Sequence, residues 1–274
     1  MHTPQTLHPI AIFDSGVGGL TVAEAIRNLL PHESILYLAD TASRPFGTKS
    51  PQELKAIITR NMELLLTYPI KMIVIACHTA CSCGLSIFNT LPVPCMTIFP
   101  SAINPLLDFA DLHSLLVLGT DRTIQSKMYE HLIKSYLPHI SSYFIGCSPL
   151  ERLIEEECQD PEHISKTLHQ LFHPIYDQHF DATFLACTHF PIYRFFIQKA
   201  LGPPCTLIDP AYYFSQKIQQ TLQINGLLKS TNTPPQDQYL ITGNVEIFKT
   251  KLSRYFGNTL AKTTTCFNHP YATL

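Results

Sequence analysis

Charge is scarce in this chain. Only 15% of its 274 residues are Asp, Glu, Lys or Arg, and 19 basic against 21 acidic side chains leave a formal net charge of −2. The basic residues are scattered, whereas a phosphate-binding surface needs them clustered, so no nucleic-acid partner is expected. Long apolar runs are missing too. The runs of about six residues fall far short of the roughly 20 that cross a bilayer, so no membrane span is expected. Met1-His2-Thr3-Pro4-Gln5 holds neither a basic stretch nor an apolar segment, which predicts no signal peptide and a soluble, cytoplasmic protein. With 45% hydrophobic residues the chain is too apolar for a disordered protein, and its length allows one large or two ordinary domains.

Familiar site spacings are absent as well. There is no Cys-x-x-Cys and no His-Glu-x-x-His, which argues against a metal site or a dithiol redox motif, although Cys77, His78, Cys81 and Cys83 lie close together. The residue six after Cys77 is Cys83, where a cysteine phosphatase would need an anion-binding Arg. The nine cysteines are odd in number and irregularly spaced, and several sit inside apolar strands. That pattern suits reduced thiols better than a secreted disulfide scaffold.

What the chain does have is alternation. Ile10 to Phe13, Ile35 to Ala39, Met72 to Ala76 and Cys95 to Phe99 read as short buried strands with helices between them. Leu115 to Leu118, Tyr143 to Ile145, Thr183 to Ala186 and Thr206 to Ile208 repeat the plan. Helices are expected from Leu20 to Leu30, from Tyr212 to Gln223 and from Val245 to Tyr255. Another begins at Ser50-Pro51-Gln52-Glu53, with Ser50 as N-cap, Pro51 at the first helical position and Glu53 closing a capping box. Lys229 to Gln238 reads as a polar surface loop, Tyr239 to Thr242 as a strand, and Lys262 to Leu274 shows no period. The expected fold is therefore α/β, with two similar domains, each a mainly parallel four-stranded sheet flanked by helices. The boundary is placed near Pro100 to Pro105. The first domain is then 1–99 plus 211–274 and the second 100–210, as a duplication would leave them.

Two stretches answer each other across the halves: Ala76-Cys77-His78-Thr79-Ala80 and Ala186-Cys187-Thr188-His189-Phe190. Each puts a thiol and two polar groups at the end of a buried strand, where open α/β folds keep their chemistry. One such cysteine is usually inert; two suggest a pair of thiols facing one small molecule. A thiolate is a competent base when a helix N-terminus or a nearby positive charge lowers its pKa. Two of them on opposite faces of a carbon can remove a proton from one side and return one from the other, inverting the centre. Asp14-Ser15-Gly16-Val17-Gly18-Gly19 follows the first strand as a glycine-bearing turn. It is neither a P-loop nor Gly-x-Gly-x-x-Gly. It either offers backbone N–H groups to an anion or merely turns tightly. Asp40 to Gly47 and Gly119 to Thr123 lie on the same rims, as ligand loops or plain ones.

These motifs, in this order, resemble the glutamate racemases of the aspartate/glutamate racemase superfamily. The resemblance runs from about Ile10 to Gly257 and rests on Phe13 to Val22, Asp40-Thr41-Ala42 with Pro45 to Ser50, Ala76 to Ala80, Gly146-Cys147, Cys187 to Pro191 and Thr242-Gly243. It implies two α/β domains related by pseudo-twofold symmetry around a cleft. It also implies a racemase that uses no cofactor or metal, acts on glutamate, supplies D-glutamate for peptidoglycan and forms a homodimer. By motif position it implies Cys77 and Cys187 as paired acid and base, Asp14 beside Cys77, and His189 with Glu155 beside Cys187. Asp14, Ser15, Phe46, Gly47, His78, Thr79, Thr120, Thr123, Thr188 and His189 would bind substrate.

Three positions depart from the family pattern. Cys147-Ser148-Pro149 replaces Cys-Pro ahead of Glu155, Phe46 replaces a Tyr, and His78 stands where the family has Asn. An Asn amide donates and accepts hydrogen bonds without charge, while His is bulkier and can gain a proton near neutrality. His78 is then either a tolerated variant or a change in turnover or specificity. The alternatives to glutamate racemisation are a related activity on aspartate or hydantoin, a one-thiol decarboxylase, and a weakened homologue kept for binding.

Overall fold

The computed structural model describes residues 4–101, 103–109, 112–203, 205–257, 259–260 and 265–268. Among the described residues, ten strands form two sheets. They are β1 (Ile10–Asp14), β2 (Ile35–Ala39), β3 (Met72–Ile75), β4 (Cys95–Thr97), β5 (Ser114–Gly119), β6 (Ser141–Gly146), β7 (Ala182–Ala186), β8 (Thr206–Ile208), β9 (Gln238–Ile241) and β10 (Thr265–Asn268). The first sheet runs β10-β9-β2-β1-β3-β4 and the second β6-β5-β7-β8. Every pairing is parallel.

The sequence dictates this directly in the central strands. β1, β2, β3 and β7 are buried at every residue. Continuous apolar runs of this kind belong to parallel strands covered by helices on both faces. In the second sheet alternate side chains feed two cores: Leu116, Leu118 and Leu185 face one, Leu115, Val117 and Phe184 the other. The edge strands β4 and β6 are only partly covered. The capping box forms as expected: Ser50 Oγ accepts from Glu53 N, the Glu53 carboxylate accepts from Ser50 N, and the helix Pro51–Leu66 follows.

The inner strands of the two sheets correspond. The order β2-β1-β3-β4 matches β6-β5-β7-β8, so the segments after β3 and β7 occupy equivalent rims. The expectation of four strands per sheet holds for the second but not the first, which has six. β9 extends it beyond β2, and β10, inside the segment read as lacking a period, pairs with β9. A four-residue edge strand is too short to reveal an alternating pattern. The expected strand Cys95 to Phe99 stops at Thr97, because the chain turns into the short helical segment Ile98–Ser101. The polar loop ends on an anchor: the Asp237 carboxylate accepts from Arg27 Nη2 at 2.6 Å and from Ile35 N at 2.9 Å. Among the described residues no helix is long and apolar enough to cross a membrane. All nine cysteines are free thiols.

Candidate active site

The carboxyl ends of β1, β3, β5 and β7 meet at one cleft. Ser15, Phe46, Gly47, Cys77, His78, Thr79, Thr120, Glu151, Cys187, Thr188 and His189 line it, and they enclose about 10 Å³. That is room for about one water molecule, so its walls are almost in contact. Of the residues singled out from the sequence, Asp14, Thr123 and Glu155 stand just behind this lining, and the rest form it.

On one wall β3 ends and Cys77 becomes the N-cap of the helix His78–Phe88. Its Sγ accepts from Ala80 N at 3.4 Å and donates to Ser15 Oγ at 3.7 Å. Asp14, the last residue of β1, is fully buried; its Oδ1 accepts from Gly16 N at 2.9 Å. Burial raises the Asp14 carboxyl above its ordinary range, against the charge of His189 and the Gly16, Gly19 and Thr188 hydrogen bonds. Burial first, and then the Asp14 charge, push the Cys77 thiol well up. The helix N-terminus was expected to lower it. Here desolvation of the thiolate outweighs that dipole.

The opposite wall is built differently. Cys187 follows β7, and its Sγ lies 3.8 Å from His189 Nδ1, while His189 Nε2 lies 2.7 Å from Glu155 Oε1. Burial alone would lower the imidazole, but hydrogen bonds and charges from Cys187 and Glu155 overcome it and raise His189 well above its ordinary value. Burial would raise Glu155, yet His189, Arg44 and Lys251 together hold it well below the carboxylate range. Cys187 is raised by burial and drawn back by His189. The result is a chain from Cys187 through His189 to Glu155, in which the charge of the imidazole favours the thiolate form of Cys187 and the carboxylate fixes the imidazole.

The two walls touch. Thr188 Oγ1 donates to Asp14 Oδ2 at 3.1 Å, and Val17 N donates to Glu155 Oε1 at 3.2 Å. The hydroxyls of Thr79 and Thr120 lie 2.9 Å apart, and those of Thr120 and Thr123 also 2.9 Å. The glycine-bearing turn explains itself here. A Cβ on Gly16 would sit 2.2 Å from Glu155 Oε1, and one on Gly18 2.4 Å from His189 Nδ1. Close approach of the opposite wall, rather than a left-handed backbone, is what requires glycine there.

His78 is 2% exposed, its Nδ1 lies 2.5 Å from Tyr129 Oη, and burial lowers its pKa to about 3. Desolvation disfavours the protonated form, so the imidazole is neutral near pH 7. Its Nδ1 and the tyrosine hydroxyl share one hydrogen bond.

Four residues of this neighbourhood escaped sequence reading. Glu151 precedes Glu155 by one helical turn, a spacing that marks a shared face. Arg44 sits in a loop already suspected, with Nη1 2.9 Å from Glu155 Oε2 and Nη2 3.2 Å from Glu151 Oε1. Lys251 and Tyr129 had no local signal. Glu151, Glu155 and His189 bring three metal-ligand atoms within 4.8 Å of one another. Arg44 and Lys251 already neutralise those carboxylates, so the donor set suits cationic side chains rather than an ion.

The chain's relatives are consistent in kind. The family model for Asp/Glu/hydantoin racemase matches residues 21–213. A glutamate racemase of Syntrophus aciditrophicus is 33% identical over 255 residues, 93% of this chain and 94% of that protein. Among solved structures, a glutamate racemase isoform of Bacillus anthracis superposes with a TM-score of 0.88 at 29% identity, covering 96% of this chain and 98% of that one. A glutamate racemase of Francisella tularensis, solved with D-glutamate, has a TM-score of 0.86 at 27% identity, covering 96% and 98%.

Proposed function

Because this chain belongs to the Asp/Glu/hydantoin racemase family, and so is an isomerase, we propose that it interconverts L- and D-glutamate by proton transfer between two thiols. The observation that carries this reading is the placement of Cys77 and Cys187 on one cleft, each directly after equivalent strands β3 and β7. Thiols on opposing walls reach opposite faces of an α-carbon held between them.

In each direction one sulfur must be a thiolate and the other a thiol. At Cys77 the thiol proton points to Ser15 Oγ, and the nearby Asp14, whose carboxyl is raised by burial, acts on the thiol through its charge. At Cys187 His189 holds the proton, and its charge, fixed by Glu155, stabilises the thiolate. The thiolate removes the α-proton, the opposite thiol donates its own to the other face, and the two sulfurs exchange states. Ser15, Gly47, Thr79, Thr120 and Thr188 supply hydroxyl and backbone donors for the substrate carboxylates, where such donors stabilise developing negative charge, and Thr123 backs the hydroxyls of Thr79 and Thr120. Phe46 and His78 close the lining. No metal or cofactor takes part in this scheme. About 10 Å³ does not admit an amino acid, so the walls part for substrate entry.

The reading extends to a cytoplasmic homodimer of two domains, 1–99 with 211–274 and 100–210, that supplies D-glutamate for peptidoglycan. A substrate panel tests it. Optical rotation followed with glutamate, aspartate and a hydantoin should change with glutamate alone; turnover of aspartate or hydantoin in its place would assign the family's other substrates. Growth of a D-glutamate auxotroph on the expressed protein tests the cellular role.

A further inference from the structure

Arg44 and Lys251 have a place in this site beyond charge balance. Arg44 follows β2 and Lys251 lies on the helix Val245–Phe256, so both stand with the first sheet, whereas Glu155 ends the helix Ser148–Glu155 after β6 of the second. Lys251 Nζ is 2.7 Å from Glu155 Oε2 and also donates to the Glu155 backbone carbonyl. Arg44 Nη1 is 2.9 Å from the same Oε2. The other carboxylate oxygen, Oε1, serves His189 and Val17 N. One oxygen is thus given to the cations and the other to the imidazole, so the carboxylate cannot rotate without breaking charged bonds.

Glu155 and Lys251 are buried, and Arg44 is half-buried. The Glu155 side chain is 3% exposed and that of Lys251 8%. Arg44 leaves its buried Nε without a hydrogen-bond partner while its two terminal nitrogens reach Glu155 and Glu151. Burying such charges costs several kcal/mol of desolvation and seldom adds net stability, so geometry is what the cluster secures.

We infer that Arg44 and Lys251 are positioning residues for the Cys187 arm: they lock Glu155 so that it holds His189 against Cys187, and, coming from the opposite wall, they complete that arm only when the cleft is closed. The inference rests on the two-thiol reading for its kinetic consequences, but not for its structural one.

The test uses Lys251→Met and Lys251→Arg, with Arg44→Lys in case Lys251→Met does not fold. With glutamate, kcat/KM of Lys251→Met should fall about 10- to 100-fold, the scale of a misplaced catalytic group. The fall must be equal in both directions, since the two enantiomers are equally stable. The discriminating readout is the primary deuterium isotope effect on Cα-deuterated substrate. It should rise for one enantiomer only, the one whose proton goes to Cys187, and Lys251→Arg should restore most of the rate. An unchanged rate, or equal rises for both enantiomers, overturns the inference. Nitrogen-15 signals of the His189 imidazole, recorded without substrate, should shift in Lys251→Met, or in Arg44→Lys if the first variant is unfolded. Unchanged signals overturn the inference whatever the substrate proves to be. A wild-type protein that leaves glutamate untouched while those signals do shift sinks the functional reading alone.

Discussion

Thr188, the neighbour of one thiol, donates its hydroxyl hydrogen bond to Asp14, the carboxylate beside the other, at 3.1 Å. The two arms therefore share a polar link as well as a cavity. Thr188→Val keeps the shape but strips Asp14 Oδ2 of its donor in a fully buried position. Leaving a buried acceptor unsatisfied costs about 1–3 kcal/mol. Urea unfolding at neutral pH should show a loss of that size with an unchanged slope; an unshifted midpoint would mean that the bond contributes nothing.

Gly18 gives a purely steric prediction. The Cβ of Gly18→Ala would meet His189 Nδ1 at 2.4 Å and Thr188 Oγ1 at 2.5 Å, so one wall has to move. Racemisation should drop about 100-fold, as displacements near 1 Å do, while the far-ultraviolet circular dichroism stays unchanged. Full activity would show that the cleft does not close as drawn.

His78 predicts a pH dependence of stability. Its folded pKa, about 3, lies below the ordinary 6.5, so the unfolded chain binds more protons in between. For a depressed pKa the stabilisation is complete above about 6.5 and is lost as pH falls toward 3. From pH 7 to pH 5 this group alone costs about 2 kcal/mol. His78→Asn should remove that part of the slope, seen as a smaller drop in urea midpoint between the two pH values. Identical slopes for variant and wild type would contradict a buried neutral imidazole.

His189→Asn removes the cation that draws Cys187 back toward ionisation. Loss of a positioned acid or base typically costs 10²- to 10⁴-fold, and kcat for glutamate racemisation should fall within that range. A variant within a factor of two of wild type would remove His189 from the mechanism.

Much of this was legible from the chain. Buried parallel strands announce themselves as unbroken apolar runs such as Ile35 to Ala39, and the Ser50 capping box is local chemistry. The paired cysteines were visible because their strand ends repeat. What stayed hidden depends on contacts remote in sequence. Glu155 meets Lys251 across 96 positions, and no window of neighbouring residues reports that. The same holds for His78: its type suggested a titratable group, but its neutrality comes from burial supplied by other elements. β10 was missed for a different reason, as its four residues gain strand character only by pairing with β9.

The central claim, that two thiols on opposing walls exchange the α-proton, is tested most directly by glutamate turnover in deuterium oxide with wild type, Cys77→Ser and Cys187→Ser. Two-thiol transfer predicts that early wild-type product carries one deuterium at Cα while recovered substrate carries none, and that each serine variant loses racemisation. Product that retains the substrate's own hydrogen, or full racemisation by either variant, would contradict it.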